Sequence, residues 1–224
     1  MTRIYVHPVP IRIWHWINAA GFVALIATGL QLRYGVLLGM SFKTIVDAHN
    51  AIGFVLIGNY FLWLAFYLFS DRITVYHPEL NPGRHFRAVF RQLAYYGYGI
   101  FKGHPNPHHV SVYRKFNALQ SMAYQLVMMV LVPLQFYTGL VLWDLQRFAG
   151  TVALFGGARV VDTVHVALSI VFVVFLLVHV YLTTLGRTAA QHVIAMITGY
   201  EEIDDRPETA PRKAGPESSA AVAD

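Results

Sequence analysis

Residues 160–185 read VVDTVHVALSIVFVVFLLVHVYLTTL, an apolar run with one acidic residue, no basic residue and two histidines, His165 and His179. A helix rises about 1.5 Å per residue, so a run of this length crosses about 30 Å of hydrocarbon. Three other stretches are long and apolar enough to do the same, at roughly 13–32, 45–69 and 118–143. Asn18, Gly21 and Gly29 interrupt the first, and Gln125, Pro133 and Gln135 the third. Pro133 is expected to kink its helix, with neighbouring helices satisfying the freed carbonyl. The reading is an all-α integral membrane four-helix bundle.

The rest of the composition agrees. Of 224 residues, 56% are hydrophobic and only 13% charged, about half the charged share of a soluble domain. There is no cysteine. That excludes disulfides, thiolate iron–sulfur clusters, cysteine zinc sites and covalent c-type haem. Any redox group must be held by histidine, of which there are 11, or by another non-thiol ligand.

The net charge of +5 is explained by its placement, which points to a membrane and not to nucleic acid. Arg33, Lys43, Arg147 and Arg159 lie on one side of the bundle, and the other 13 of the 17 basic residues lie on the opposite side, with the N-terminus, the 70–117 loop and the C-terminal segment. Positive charge marks the cytoplasmic side. Both termini are therefore expected in the cytoplasm of a bacterium, as a multi-pass protein of its inner membrane, with the 33–44 and 144–159 loops in the periplasm. No small-residue cleavage site closes the first apolar segment, so it reads as a retained span.

The long 70–117 loop carries Arg84, Arg87 and Arg91 on one helical face and Phe86, Val89, Phe90 and Leu93 on another. That is the pattern of an interfacial helix on the cytoplasmic leaflet. A second interfacial helix is expected around His192. Residues 1–200 form the membrane domain, and 201–224 read as a disordered cytoplasmic tail. No internal repeat is evident.

A metal-binding side chain inside a span is costly and points to function. Four histidines lie in spans: His15, His49, His165 and His179. His7, His77, His85, His104, His108, His109 and His192 fall outside and read as solvated. By depth, His15 and His179 share the cytoplasmic level, and His49 and His165 the periplasmic one. His165 and His179 are 14 residues apart, close to four turns, so they share a face about 21 Å apart.

Two stacked haems, each ligated once by span four, need this arrangement, with His15/His179 and His49/His165 as the axial pairs. Histidines bonding across the bundle are the bland alternative. A di-metal site using Asp47 or Asp162 is the chemical one. Gly29, 14 residues after His15, would face the other level, where a missing side chain admits a flat macrocycle. Gly53, one turn after His49, serves similarly or as a plain helix contact. Each imidazole is expected to donate its second N–H to a helix carbonyl. Arg12 is a candidate propionate partner, or one more positive-inside charge.

At these residues the chain resembles the bacterial di-haem cytochrome b family that anchors nickel–iron hydrogenases, formate dehydrogenases and thiosulfate reductases. The carriers are Arg12-Ile-Trp-His15-Trp16, His49-Asn-Ala-Ile-Gly53 and the His165/His179 pair, over roughly residues 3–202. Phe116-Asn117-Ala118-Leu119-Gln120 and the stretch Ile194–Glu202 resemble the thiosulfate-reductase-type branch. Hydrogenase-type members carry a histidine near the start of span three, where this chain has Phe116-Asn117.

The resemblance implies four haem-ligating histidines holding two b haems. It also implies electron transfer between membrane quinone and a catalytic partner on the periplasmic side. Asn117 and Gln120, at the cytoplasmic start of span three, are by the same resemblance quinone-pocket residues, with helix capping as the alternative. The chain itself supplies no catalytic residue and no thiolate cluster site, so the partner would be an iron–sulfur or multihaem c-type subunit. The rival reading is a stand-alone di-haem b561-type oxidoreductase of a small diffusible species.

Overall fold

The computed structural model describes residues 2–35, 39–70, 82–105, 107, 117–186 and 188–203. His77, His108, His109, Phe116 and residues 204–224 lie outside them. Four helices are long and apolar enough to span a membrane: Val9–Tyr34, Phe42–Phe69, Ala118–Trp143 and Ala158–Thr183. They are the four spans expected, displaced by up to four residues at their ends, and the chain is an all-α membrane bundle.

The first span (α1, Val9–Tyr34) starts earlier than its apolar run because Pro10 sits in the first turn, where its missing N–H costs nothing. It stops at Gly35, whose φ of 72° reverses the chain while its N–H caps the Gln31 carbonyl. The second (α2, Phe42–Phe69) begins at Ser41, whose hydroxyl accepts from the Thr44 N–H. Gly21 lets these two spans close on each other: a Cβ there would lie 2.6 Å from Leu56 Cδ2, a fully buried side chain.

After α2 comes the helix of the long loop, α3 (Pro82–Gly97). Arg84, Arg87 and Arg91 are exposed on it as expected, but its apolar residues divide. Val89 and Gln92 are buried, whereas Phe86, Phe90 and Leu93 stay exposed. The helix packs on the start of the third span and presents the other apolar residues outward.

The third span is not kinked helix alone. It runs as α4 (Ala118–Leu126), a wider π turn at Val127–Leu131, and α5 (Val132–Trp143). In π register the Val132 N–H reaches the Val127 carbonyl. The next carbonyl, that of Met128, would take the N–H that Pro133 lacks. The Tyr60 hydroxyl of α2 donates to it instead, at 3.0 Å. The neighbouring helix thus satisfies the freed group.

A short helix, α6 (Ala149–Leu154), precedes the fourth span, α7 (Ala158–Thr183). The expected interfacial helix follows as α8 (Gln191–Thr198), closed by Gly199 at φ 90°. Strand β1 (Thr2–Tyr5) then pairs antiparallel with β2 (Tyr200–Ile203), from Thr2 opposite Ile203 to Tyr5 opposite Tyr200. This two-stranded ladder was not expected. Glu201–Ile203 belong to it and not to a disordered tail, and it holds residues 2–5 and 200–203 at the same end of the bundle. The core is aromatic: Tyr60, Trp63, Tyr67 and Phe172 pack with Ile11, Val127, Met128 and Val132.

Candidate functional site

The four intramembrane histidines meet in two facing pairs. His15 and His179 have ring centroids 6.2 Å apart, and His49 and His165 have theirs 6.5 Å apart. The partners come from different helices, α1 with α7 and α2 with α7, and the pairs lie at opposite ends of the bundle. Pairing thus follows depth, as the sequence suggested.

The spacing within each pair is informative. Two imidazoles joined by a direct hydrogen bond of about 2.8–3.0 Å would have centroids about 5 Å apart. A ring nitrogen lies about 1.1 Å from its centroid and metal–imidazole bonds run about 2.0–2.1 Å, so rings on opposite sides of one metal ion have centroids about 6.3 Å apart. Both pairs keep the wider separation. A direct bond across the bundle does not account for it.

Around His49 and His165 the neighbours repeat. The Thr28 hydroxyl lies 2.8 Å from His49 Nδ1, and the Thr138 hydroxyl 2.9 Å from His165 Nδ1. Threonine hydroxyls stand at both Nδ1 atoms, and His165 also has the expected kind of backbone partner, at Gln135. A carbonyl within a helix already accepts from its own ladder, whereas a threonine hydroxyl on the adjacent helix reaches sideways. Gly29 lies where expected, against the far histidine level: a Cβ there would stand 3.6 Å from His49 Cε1. Gly139 does the same at 3.2 Å from His165 Cε1, and sequence reasoning missed it. Gly53 has nothing within 4 Å of its Cβ position, which leaves space beside it and removes the helix-contact reading.

The other pair is furnished differently. Phe175 stacks on His179, with centroids 5.9 Å apart, and Trp16 meets His15 edge-on. His15 Nδ1 is buried with no partner among the described residues. The adjacent Trp14 carbonyl takes hydrogen bonds from Asn18 and, across the bundle, from Asn59, which fixes the backbone beside His15. Midway between the levels Phe22 and Phe172 meet at right angles, 5.4 Å apart. Phe22 is seven residues from His15 and from Gly29, and Phe172 is seven from His165 and from His179. An aromatic contact thus stands midway between the two levels.

The remaining candidates are occupied. The Arg12 guanidinium donates to the Ile197 carbonyl and so ties α1 to α8, while its Nε is buried without a partner among the described residues. Asn117 and Gln120 form a reciprocal capping box: each side-chain oxygen accepts the other's backbone N–H, at 2.8 and 3.0 Å. Asn117 Nδ2 also donates to the Tyr96 hydroxyl at 3.2 Å. Burial holds that phenol above its ordinary pKa, so it stays protonated at neutral pH. Asp47 pairs with Lys43 and Asp162 with Arg33. Among the described residues no group of three or more His, Cys, Asp or Glu could hold a metal ion, which disfavours the di-metal alternative. A cleft lined by Trp63, Tyr67, Tyr124, Gln125, Met128 and Met129 opens between α2 and the third span, and its exposed lining is apolar.

The family model for prokaryotic cytochrome b561 matches residues 6–199. The chain belongs to that family. It is 32% identical over 201 residues to a protein of Escherichia coli K12 named cytochrome YdhU, covering 88% of this chain and 74% of the relative. Two proteins named Ni/Fe-hydrogenase B-type cytochrome subunits also match. The one from Azotobacter vinelandii is 28% identical, covering 92% of each chain. The one from Rhizobium leguminosarum is 20% identical, covering 91% and 90%. No solved structure matches.

A cytochrome b561-type membrane protein carries haem b and transfers electrons, and this prokaryotic membrane protein is one of them. The donor set fits that group. Histidine is the available ligand in a chain without cysteine, the facing rings stand one metal ion apart, and glycines leave room beside them.

Proposed function

We propose that the chain binds two b haems, one between His15 and His179 and one between His49 and His165, and passes electrons between the quinone pool and a redox partner subunit. The observation that carries the reading is the pair of facing imidazoles at each of two levels, 6.2 and 6.5 Å apart. A bound haem would supply one-electron chemistry, and His15 with His179 and His49 with His165 would hold the two groups, suiting them to electron transfer and not to bond-making on a substrate. The protein's own part is to hold the four rings, to set the aromatic contact of Phe22 and Phe172 between the levels, and to place one redox group near each membrane face.

The side bearing both termini is the cytoplasmic one in this reading, because 13 of the 17 basic residues lie there. The His15/His179 level is then cytoplasmic and the His49/His165 level periplasmic. Quinone is taken near the cytoplasmic level. Asn117 and Gln120 stand at that end of span three, their oxygens engaged in the capping box, and Arg12 remains the nearest candidate for a haem propionate. The membrane domain extends through residue 203.

A chain without cysteine holds no thiolate cluster and binds no c-type haem covalently, so in the subunit reading a partner supplies that chemistry. Two relatives named as hydrogenase subunits support a subunit role. The thiosulfate-reductase-type resemblance at Asn117–Gln120 and Ile194–Glu202 favours a different catalytic partner, an iron–sulfur or multihaem c-type protein. The name of the matching family equally suits a stand-alone b561-type oxidoreductase of a small species. Purification in gentle detergent separates the two: a co-purifying redox subunit supports the first, a lone haem protein with steady quinone turnover the second. The haem reading itself is tested by absorption and EPR spectroscopy. Two low-spin haems per chain are expected, and a haem-free or five-coordinate high-spin protein would overturn it.

A further inference from the structure

Two segments, of which the sequence reading took up only Gly29, share a pattern: Thr28-Gly29-Leu30-Gln31-Leu32 in α1 and Thr138-Gly139-Leu140-Val141-Leu142 in α5. Each lies beside one histidine of the same facing pair, on the span that precedes that histidine's own. Both threonines are nearly fully buried, at 6% exposure.

Their hydroxyls determine the state of the rings. A threonine hydroxyl has one hydrogen to give. At Thr28 it goes to the backbone, with the Ala24 carbonyl at 2.8 Å and that of Leu25 at 3.2 Å. At Thr138 the Leu134 and Gln135 carbonyls are both at 3.0 Å. This back-bonding is common for threonine in helices. Here it has a consequence: toward the histidine each oxygen offers only a lone pair. With the hydroxyl hydrogen so engaged, the ring hydrogen is assigned to His49 Nδ1 and His165 Nδ1, and the metal-binding lone pair to Nε2. The Gln135 side-chain amide lies 3.2 Å from His165 Nε2, with its own Oε1 buried and without a partner among the described residues, so this amide must swing aside for Nε2 to meet a metal. The glycine after each threonine leaves room for the ring's Cε1 edge, with virtual Cβ distances of 3.6 Å at Gly29 and 3.2 Å at Gly139.

We infer that Thr28 and Thr138 are positioning residues. Each holds a histidine by Nδ1 so that Nε2 faces the metal, and the Thr-Gly segments are one device used twice. The inference rests on the reading of His49 and His165 as haem ligands. Its chemical consequence follows from the bond. A ring that donates its Nδ1–H is a stronger electron donor through Nε2, which favours oxidised iron and lowers the potential of that haem.

The test uses Thr28→Val and Thr138→Val, which keep the shape and remove the hydroxyl, beside Thr28→Ser and Thr138→Ser, which keep it. Each purified haem-loaded protein is titrated potentiometrically by visible absorption and examined by low-temperature EPR. In the valine variants one and the same redox component should move to higher potential with a changed low-spin signal, while the other component stays. The serine variants should restore wild-type behaviour. Loss of that one haem with valine but not serine also supports the clamp. Unmoved potential and EPR signal in both valine variants, or equal disturbance by serine and valine, would overturn it. A wild-type protein with no low-spin haem would instead overturn the ligand reading beneath it, a result visible before any variant is made.

Discussion

Replacing Tyr60 by phenylalanine removes one hydroxyl and, if the π turn is as described, strands one carbonyl. Tyr60 is buried and its hydroxyl donates to Met128 at 3.0 Å. In an ordinary helix that carbonyl would have its own ladder partner. Here the partner position is Pro133, which has no N–H, and Met128 is a buried residue. An unsatisfied buried acceptor costs about 1–3 kcal/mol. Hydrogen bonds between membrane helices measure lower, about 0.6 kcal/mol on average and up to about 1.7, because a freed group usually finds another partner. With proline at the ladder position that would otherwise serve the Met128 carbonyl, Tyr60→Phe is expected toward the upper figure. Pro133→Ala restores an N–H in reach of the same turn. In that background Tyr60→Phe should cost well under 1 kcal/mol. Unfolding of the four proteins in mixed micelles gives the coupling directly, expected at about 1 kcal/mol against an additivity scatter of about 0.3–0.5. Additive costs within that scatter would refute the idea that tyrosine replaces the missing proline N–H.

Ligands should pair by depth: His15→Ala and His179→Ala are expected to abolish or shift one redox component, and His49→Ala and His165→Ala the other. Potentiometric titration checks this, and loss of one shared component in His15→Ala and His49→Ala would contradict it. Asn117→Ala removes a helix cap and the bond to Tyr96, so a stability loss of about 1 kcal/mol is expected from melting in detergent. If the capping pair also meets quinone, Asn117→Ala or Gln120→Ala will slow quinone-linked turnover at unchanged haem content. Unaltered quinone kinetics in both would leave them as caps alone.

The bundle was legible because a membrane span announces itself by length and the absence of charge, and because histidine in hydrocarbon needs a reason. The 14-residue spacing of His165 and His179 placed two levels on one helix, and the depths of His15 and His49 supplied the partners. Threonine was invisible to this reasoning. Thr28 and Thr138 are ordinary in an apolar helix, where the hydroxyl bonds back to its own backbone, and only the position of a neighbouring helix shows that the same oxygen meets an imidazole. The terminal ladder escaped for a related reason. Thr2–Tyr5 and Tyr200–Ile203 are four-residue strands with nearly 200 residues between them, and pairing at that separation leaves no local pattern. At Pro133 the sequence indicated a disturbance but not its form, since the wider turn depends on Tyr60 lying opposite Met128.

The repeated Thr-Gly segments also order the bundle. Spans one and three each carry the segment, and spans two and four each carry a histidine seven residues after their first helical residue, His49 after Phe42 and His165 after Ala158. His49 and His165 thus hold like positions on their helices, and they face each other. The second level breaks the relation. His15 stands 13 residues before Thr28, and the residue 13 before Thr138 is Gln125. His179 stands 14 after His165, and the residue 14 after His49 is Trp63. Gln125 and Trp63 both line the apolar cleft between α2 and the third span. The positions that answer to His15 and His179 are therefore taken by Gln125 and Trp63, beside a cleft lined by aromatic and thioether side chains, and they form no ring pair. Trp63 instead stacks on Trp14, the neighbour of His15, with centroids 5.7 Å apart, so the span that lacks a histidine at this level packs the backbone beside one.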